Sequence, residues 1–102
     1  MRVISQHGNV DLPYEQIIVC HAMENVTALH NEKEYILGKY SSQEKAYKAM
    51  KMLKEHYGLL SFMKLIAGTT KYESFIRRFT EDGFIKATTE YFQFPQDDEI
   101  EV

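Results

Sequence analysis

Val3, Ile4, Val10 and Leu12 flank the polar stretch Gln6-His7-Gly8-Asn9, whose residue types favour a turn, so the chain opens as a short hairpin that Pro13 ends. Three segments rich in β-branched and aromatic residues follow, at 17–22, 26–30 and 35–40, joined by the short connections 23–25 and 31–33. This alternation predicts an antiparallel meander. At Ser41 the period changes. Ser41 with Glu44 forms a capping box, and Ala46, Ala49, Met50, Leu53 and Tyr57 recur at helical spacing, which predicts a helix to about Tyr57 with Gly58 as its stop. The stretch from Leu59 to Ile66 is too apolar for a solvated loop and reads as a short buried helix ending near Gly68. Thr70 with Glu73 opens a further helix, whose Tyr72, Phe75, Ile76 and Phe79 share one face before Gly83. Residues 84–94 return to strand composition, and Pro95 closes them ahead of an acidic run.

Strands, then helices, then a final strand, with no alternating βαβ rhythm, define an α+β class. The expected architecture is an N-terminal antiparallel β-meander, two to three helices and a closing C-terminal strand. Residues 1–95 form one domain, and residues 96–102 are a solvated acidic tail. With 102 residues, 44% of them apolar, one core can be filled without a disulfide or a structural metal.

The net charge of −3 changes meaning once it is located. Asp97, Asp98, Glu99 and Glu101 sit together at the end, and without them 12 basic side chains face 11 acidic ones. A nearly neutral body argues against general duplex binding, where many cations must neutralise phosphates. The apolar runs fall short of the roughly 20 residues of a membrane helix, and Val3-Ile4 after Arg2 is no signal-peptide core. Cys20, the single cysteine, has no internal disulfide partner. These features point to a cytoplasmic protein.

Candidate chemistry is sparse. Cys20 and His21 are adjacent, but consecutive side chains on a strand point to opposite faces, so they form no dyad. A tight turn at 23–25 puts Cys20 opposite Ala28 and diagonal to His30, at roughly 7 Å, beyond hydrogen-bond reach; Cys20 reads as a buried structural cysteine. His7, His21, His30 and His56 are scattered without metal-ligand spacing. Arg77 and Arg78, beside the Phe75 stripe, read either as a solvated helix edge or as phosphate ligands, because guanidinium forks bind phosphate oxygens in pairs. Met50 and Met52 are either core filler or, beside the small Ala46 and Ala49, part of a helix face that meets a second copy of the chain.

Several segments carry a resemblance: Met1 to Gln6, Asp11-Leu12-Pro13-Tyr14-Glu15, Tyr40-Ser41-Ser42-Gln43-Glu44-Lys45-Ala46, Ala49-Met50-Lys51-Met52-Leu53, and Phe92-Gln93-Phe94-Pro95 with the acidic end. They resemble a family of small proteins encoded by phages and prophages of Gram-positive bacteria, the first class of Thoeris anti-defence proteins. The resemblance covers the two ends and the first helix. It implies a homodimer or higher homo-oligomer that sequesters cyclic ADP-ribose isomers made by TIR-domain immune enzymes, and in some members cyclic oligonucleotides, without cleaving them. It further implies no enzymatic step, no cofactor, and action in the cytoplasm of the infected host. Family pockets form between subunits from helix residues and arginines. The match at Ala49 to Lys54 carries a ligand-binding expectation to Met50, Lys51 and Lys54, although family members often have arginine in place of Lys54. Phe75, Arg77 and Arg78 join this set on their chemistry. The rival expectation is a small phage protein that inhibits a host protein by direct contact.

Overall fold

The computed structural model describes residues 1–66 and 90–101. Its strands are β1 (Arg2–Ile4), β2 (Asp11–Pro13), β3 (Ile18–Ala22), β4 (Asn25–His30), β5 (Lys33–Lys39) and β6 (Tyr91–Gln93). Among the described residues one α-helix, α1 (Gln43–Ile66), follows β5, and short 3-10 turns occupy Tyr14–Gln16 and Asp97–Glu99. The class is α+β, as the order of elements predicts.

The strands form two three-stranded sheets, ordered β2-β1-β6 and β3-β4-β5. The second is the antiparallel meander. In the first, β1 pairs antiparallel with β2 and parallel with β6, so the opening and closing strands lie side by side. Their registers place Leu12, Val3 and Phe92 in one row across the sheet, and all three are buried. His56 of α1 packs its ring 5.6 Å from that of Phe92, while Ala46, Ala49 and Leu53 of the same helix are buried in the cluster that holds Val26 and Ala28 of β4. One helix therefore closes a single core over both sheets.

Two features of the second sheet correct the sequence reading. The β3–β4 connection is the two-residue loop Met23-Glu24, with φ of +56° at Met23, and Ala22 pairs with Asn25. A loop one residue shorter than expected moves the register by one. Cys20 therefore lies opposite Thr27, not Ala28, and its sulfur sits 3.3 Å from the Thr27 hydroxyl. Cys20 is also exposed and not buried, because the face it shares with Ile18 points away from α1.

The helix differs as well. Gly58 does not end it. Its φ is not positive, and a stop of that kind needs a left-handed glycine. The apolar stripe instead continues through it, with Leu60 and Met63 buried beyond Leu53. The predicted first helix and the short Leu59–Ile66 helix are thus one continuous element. The helix expected from Thr70 to Gly83 lies outside the described residues. The cap also shifts by one position: the Ser42 hydroxyl, not that of Ser41, accepts the Lys45 N–H at 3.2 Å.

The sheets are stitched by Gln6, only 5% exposed. Between Val26 and Thr27 the β4–β5 register slips, which leaves Leu37 as the extra residue of a bulge. Its carbonyl accepts the Gln6 N–H at 2.7 Å. The Gln6 side chain accepts the Lys39 N–H at 3.0 Å and donates to the Lys39 and Pro95 carbonyls at 3.3 and 3.1 Å. The Gln6 carbonyl in turn accepts from the Gln96 amide at 2.7 Å.

Gln6→Leu removes the amide and leaves the part-buried Lys39 N–H without its acceptor, and is expected to lower stability by about 1–3 kcal/mol in urea unfolding. A loss below about 0.5 kcal/mol would show that this junction carries little of the fold. Gly58→Ala acts in the opposite direction. The glycine is exposed, and a Cβ there meets nothing within 4 Å, so the variant is expected to gain about 0.5–1 kcal/mol, read as a rise in Tm. A lower Tm would mean that the position is not helical.

Candidate functional site

The exposed side of α1 is shaped first by what occupies its N-terminus. The acidic C-terminal segment is not free in solvent: Asp97 Oδ1 accepts the Ser41 N–H at 2.7 Å. Lys45 Nζ donates to the Asp97 carbonyl at 2.9 Å and meets its carboxylate at 3.3 Å, while Lys48 Nζ donates to the Glu101 carbonyl. Gln96 N–H donates to Glu99 Oε1 at 2.8 Å, and Ile100 is buried in the core. A carboxylate at a helix N-terminus also meets the positive end of the helix dipole. The Ser41 N–H bond above all, helped by Lys45 against partial desolvation, lowers the Asp97 pKa from its ordinary 3.8. Burial, reinforced by Asp97 and Glu99, raises the Tyr40 pKa far above its usual value, so its hydroxyl stays protonated and donates to the Pro95 carbonyl at 2.9 Å.

Lys45 and Lys48 are therefore committed to the C-terminal segment. Lys51 and Lys54 are exposed and have no ion pair among the described residues. They serve different clefts. One, of about 230 Å3, is lined by Tyr14, Ile17 and Val19 from the β2–β3 region and by Met50, Leu53 and Lys54 from α1. Tyr14 and Tyr57 pack beside it with their rings tilted by 41° and their centroids 4.6 Å apart. Burial, then Tyr57 and Glu15, raise the Tyr14 pKa, so its phenol is a neutral hydrogen-bond donor. The other cleft, of about 380 Å3, runs along α1 and is lined by Glu44, Tyr47, Lys48, Lys51, Met52 and Glu55.

The six expected ligand residues thus separate. Met50 and Lys54 meet in the smaller cleft, and Lys51 stands in the larger one. Phe75, Arg77 and Arg78 lie outside the described residues. Residues four apart share a helix face, whereas Lys51 is rotated about 100° from Met50. Tyr14 is the addition that sequence reasoning missed. It was visible as an aromatic placed directly after Pro13, at the end of the opening hairpin, but nothing local indicated that α1 would lie against it. Ala46 and Ala49 are fully buried beneath α1, so they are not available as a contact with a second copy.

The smaller cleft combines a cation, an aromatic face, a phenol donor and an apolar wall. These are groups that bind an anionic ligand carrying a flat ring. Two of the four histidines make separate ring contacts, His21 edge-on to Tyr47 at 6.0 Å and His56 against Phe92. Among the described residues there is no cluster of three metal-ligating side chains, and no helix is long and apolar enough to cross a membrane. Comparison with known proteins yields no match to a family model, a curated protein or a solved structure.

Asp97→Asn is expected to lower the thermal midpoint at pH 7 by loosening the C-terminal segment. The folded pKa lies below the unfolded one, so the contribution of the carboxylate is present above the ordinary value of 3.8 and is lost as pH falls through the lower folded value. The gap between wild type and Asp97→Asn should therefore close as the buffer is taken from neutral to about pH 2. A gap that persists in acid would assign the effect to something other than the charge.

Proposed function

We propose that this protein binds a small cyclic nucleotide and sequesters it without cleavage, acting as an anti-defence protein in the cytoplasm of a phage-infected cell. The observation that carries this reading is the meeting of Met50, Lys54 and Tyr14 in one cleft. Lys54 supplies a point charge for a phosphate, Tyr14 a donor and an aromatic face for a base or ribose, and Met50 a polarisable wall. Sequestration asks only for such complementarity. It needs no nucleophile and no general base, because the ligand leaves as it entered. Met1 to Gln6, the first turn of α1 and Phe92 to Pro95 support the same reading through the family they resemble, which also suggests a homo-oligomer.

The cleft's 230 Å3 lies below the roughly 300–1,000 Å3 typical of sites that enclose a whole ligand. It therefore holds one part of a cyclic dinucleotide-sized molecule, and further groups must hold the rest. Arg77, Arg78 and Phe75 have the chemistry for that role. The rival reading, inhibition of a host protein by direct contact, draws on the exposed apolar side chain of Leu65 late in α1, 79% exposed.

A thermal-shift panel of cyclic ADP-ribose isomers and cyclic oligonucleotides tests the proposal. A true ligand at a hundredfold excess over Kd is expected to add about 2.7 kcal/mol of stability, and heating the complex should release it intact. Lys54→Ala should weaken binding by about ten- to a hundredfold, the loss of one charge-assisted contact, and Tyr14→Phe by less. Lys51→Ala separates the two clefts, since it should matter only if the ligand occupies the larger one. No stabilisation by any member of the panel would overturn the reading, degraded ligand would indicate an enzyme, and a co-purifying host protein would favour the rival.

A further inference from the structure

A third cleft, of about 250 Å3, lies where the two sheets meet, between Ser5, Gln6, His7 and Asn9 of the β1–β2 connection and Ile36 to Lys39 of β5. Two local features build it. The bulge at Leu37 turns that carbonyl toward the Gln6 N–H, which pins β5 to the connection at this point. The connection is itself braced from within. Gly8, at φ +79°, donates its N–H to the Ser5 carbonyl at 2.9 Å, while the Ser5 hydroxyl accepts the Val10 N–H at 3.1 Å and donates to Asn9 Oδ1 at 2.8 Å. A wall held this way is ordered before a ligand arrives, so little freedom is lost on binding.

The free polar groups of this cleft are donors. The bond from Ser5 occupies the Asn9 oxygen and leaves the Asn9 NH2 group, and neither Lys39 Nζ nor the His7 ring makes a hydrogen bond or ion pair among the described residues. The Gln6 amide is taken up by Lys39 and Pro95, so its oxygen is no spare acceptor. No carboxylate lines the cleft, in contrast to Glu44 and Glu55 in the one beside Lys51. Ile36, 46% exposed, supplies an apolar wall.

We infer that this cleft binds a compact organic carboxylate. Donors without an opposing acceptor select an anion, and one permanent cation matches one negative charge, whereas a phosphate dianion would keep a charge uncompensated. Lys39 supplies the charge-assisted bond, and the Asn9 NH2 and a His7 ring N–H supply neutral ones to the two carboxylate oxygens. Ile36 then covers a short aliphatic arm. The volume lies below the roughly 300–1,000 Å3 of sites for larger ligands, so the guest has only a few heavy atoms. The cleft shares no lining residue with either cleft along α1, so its failure would leave the nucleotide reading untouched.

In 1H–15N correlation spectra of the full chain at pH 7 and low ionic strength, isobutyrate should produce saturable shifts at the amides of His7, Asn9 and Lys39, with a Kd of about 1–10 mM. Lys39→Gln should raise that Kd about tenfold, and His7→Ala about two- to fivefold. Lys33→Gln removes a charge from the other end of β5, outside the cleft, and should leave the Kd within about twofold, which separates a site from general charge attraction. Isobutyramide, of the same shape without the charge, should not saturate, and inorganic phosphate should bind more weakly than isobutyrate. All three substituted residues are exposed, and the wild-type titration stands without them. The inference is overturned by the absence of saturable shifts up to about 100 mM isobutyrate, by equal losses in Lys33→Gln and Lys39→Gln, by equal binding of isobutyramide, or by tighter binding of phosphate.

Discussion

The buried amide of Gln6 is the constraint on which the rest of the arrangement depends. A primary amide in the core needs partners for both its oxygen and its nitrogen, and an unmade hydrogen bond there costs about 1–3 kcal/mol. Gln6 finds them on two other segments: Lys39 at the end of β5 and Pro95 just after β6. Its backbone adds Leu37, reached only because the bulge in β5 turns that carbonyl out of the ladder. Three parts of the chain far apart in sequence are thereby held at one point. Tyr40 reinforces the junction through its own bond to the Pro95 carbonyl, and Gly38 must lack a side chain there, since a Cβ would stand 2.8 Å from the Tyr40 ring.

What happens at α1 follows from that junction. With Pro95 fixed beside Tyr40, the next residues have short reach, and Asp97 arrives at the Ser41 N–H and Lys45. The lysines of the helix are thereby divided. Lys45 and Lys48 hold the C-terminal segment, and Lys51 and Lys54 remain to meet something else. The acidic run that looks like a solubilising tail in the sequence is thus a structural clasp, and the basic face of α1 is smaller than its lysine count suggests.

Local chemistry made much of the fold legible. The opening hairpin, the meander and the start of α1 follow from turn residues, β-branched runs and a serine cap, all of which act within a few residues. The α+β class followed from element order. What escaped were consequences of distant contacts. The parallel pairing of β1 with β6 joins residues about 90 positions apart, and no short motif encodes it. Gly58 looked like a stop because glycine is the commonest C-terminal signal, but burial of Leu60 and Met63 outweighs a penalty of about 1 kcal/mol. The Cys20 register turned on the length of one loop, where an error of a single residue exchanges every cross-strand partner. The candidate site was legible only in part for the same reason. Met50 and Lys54 share a face by spacing, whereas the contribution of Tyr14 depends on β2, the following turn and α1 converging.

The division between Lys51 and Lys54 also constrains any ligand. Side chains on neighbouring helical positions diverge by about 100°, so one compact ligand seated against Tyr14 engages Met50 and Lys54 but not Lys51, unless it curls around α1. The larger cleft beside Lys51 contains Glu44 and Glu55, whose carboxylates oppose an anionic guest, and Lys48 there already serves the Glu101 carbonyl. Electrostatics therefore favours the smaller cleft for phosphate even though the larger one has more room. On the proposed reading, affinity at the smaller cleft would come from the Tyr14 face and Lys54, the one cation among its described lining residues, together with whatever groups meet the overhanging part of the ligand. That is a demanding arrangement for a single chain, and a reason why cations beyond α1 would have to complete the pocket.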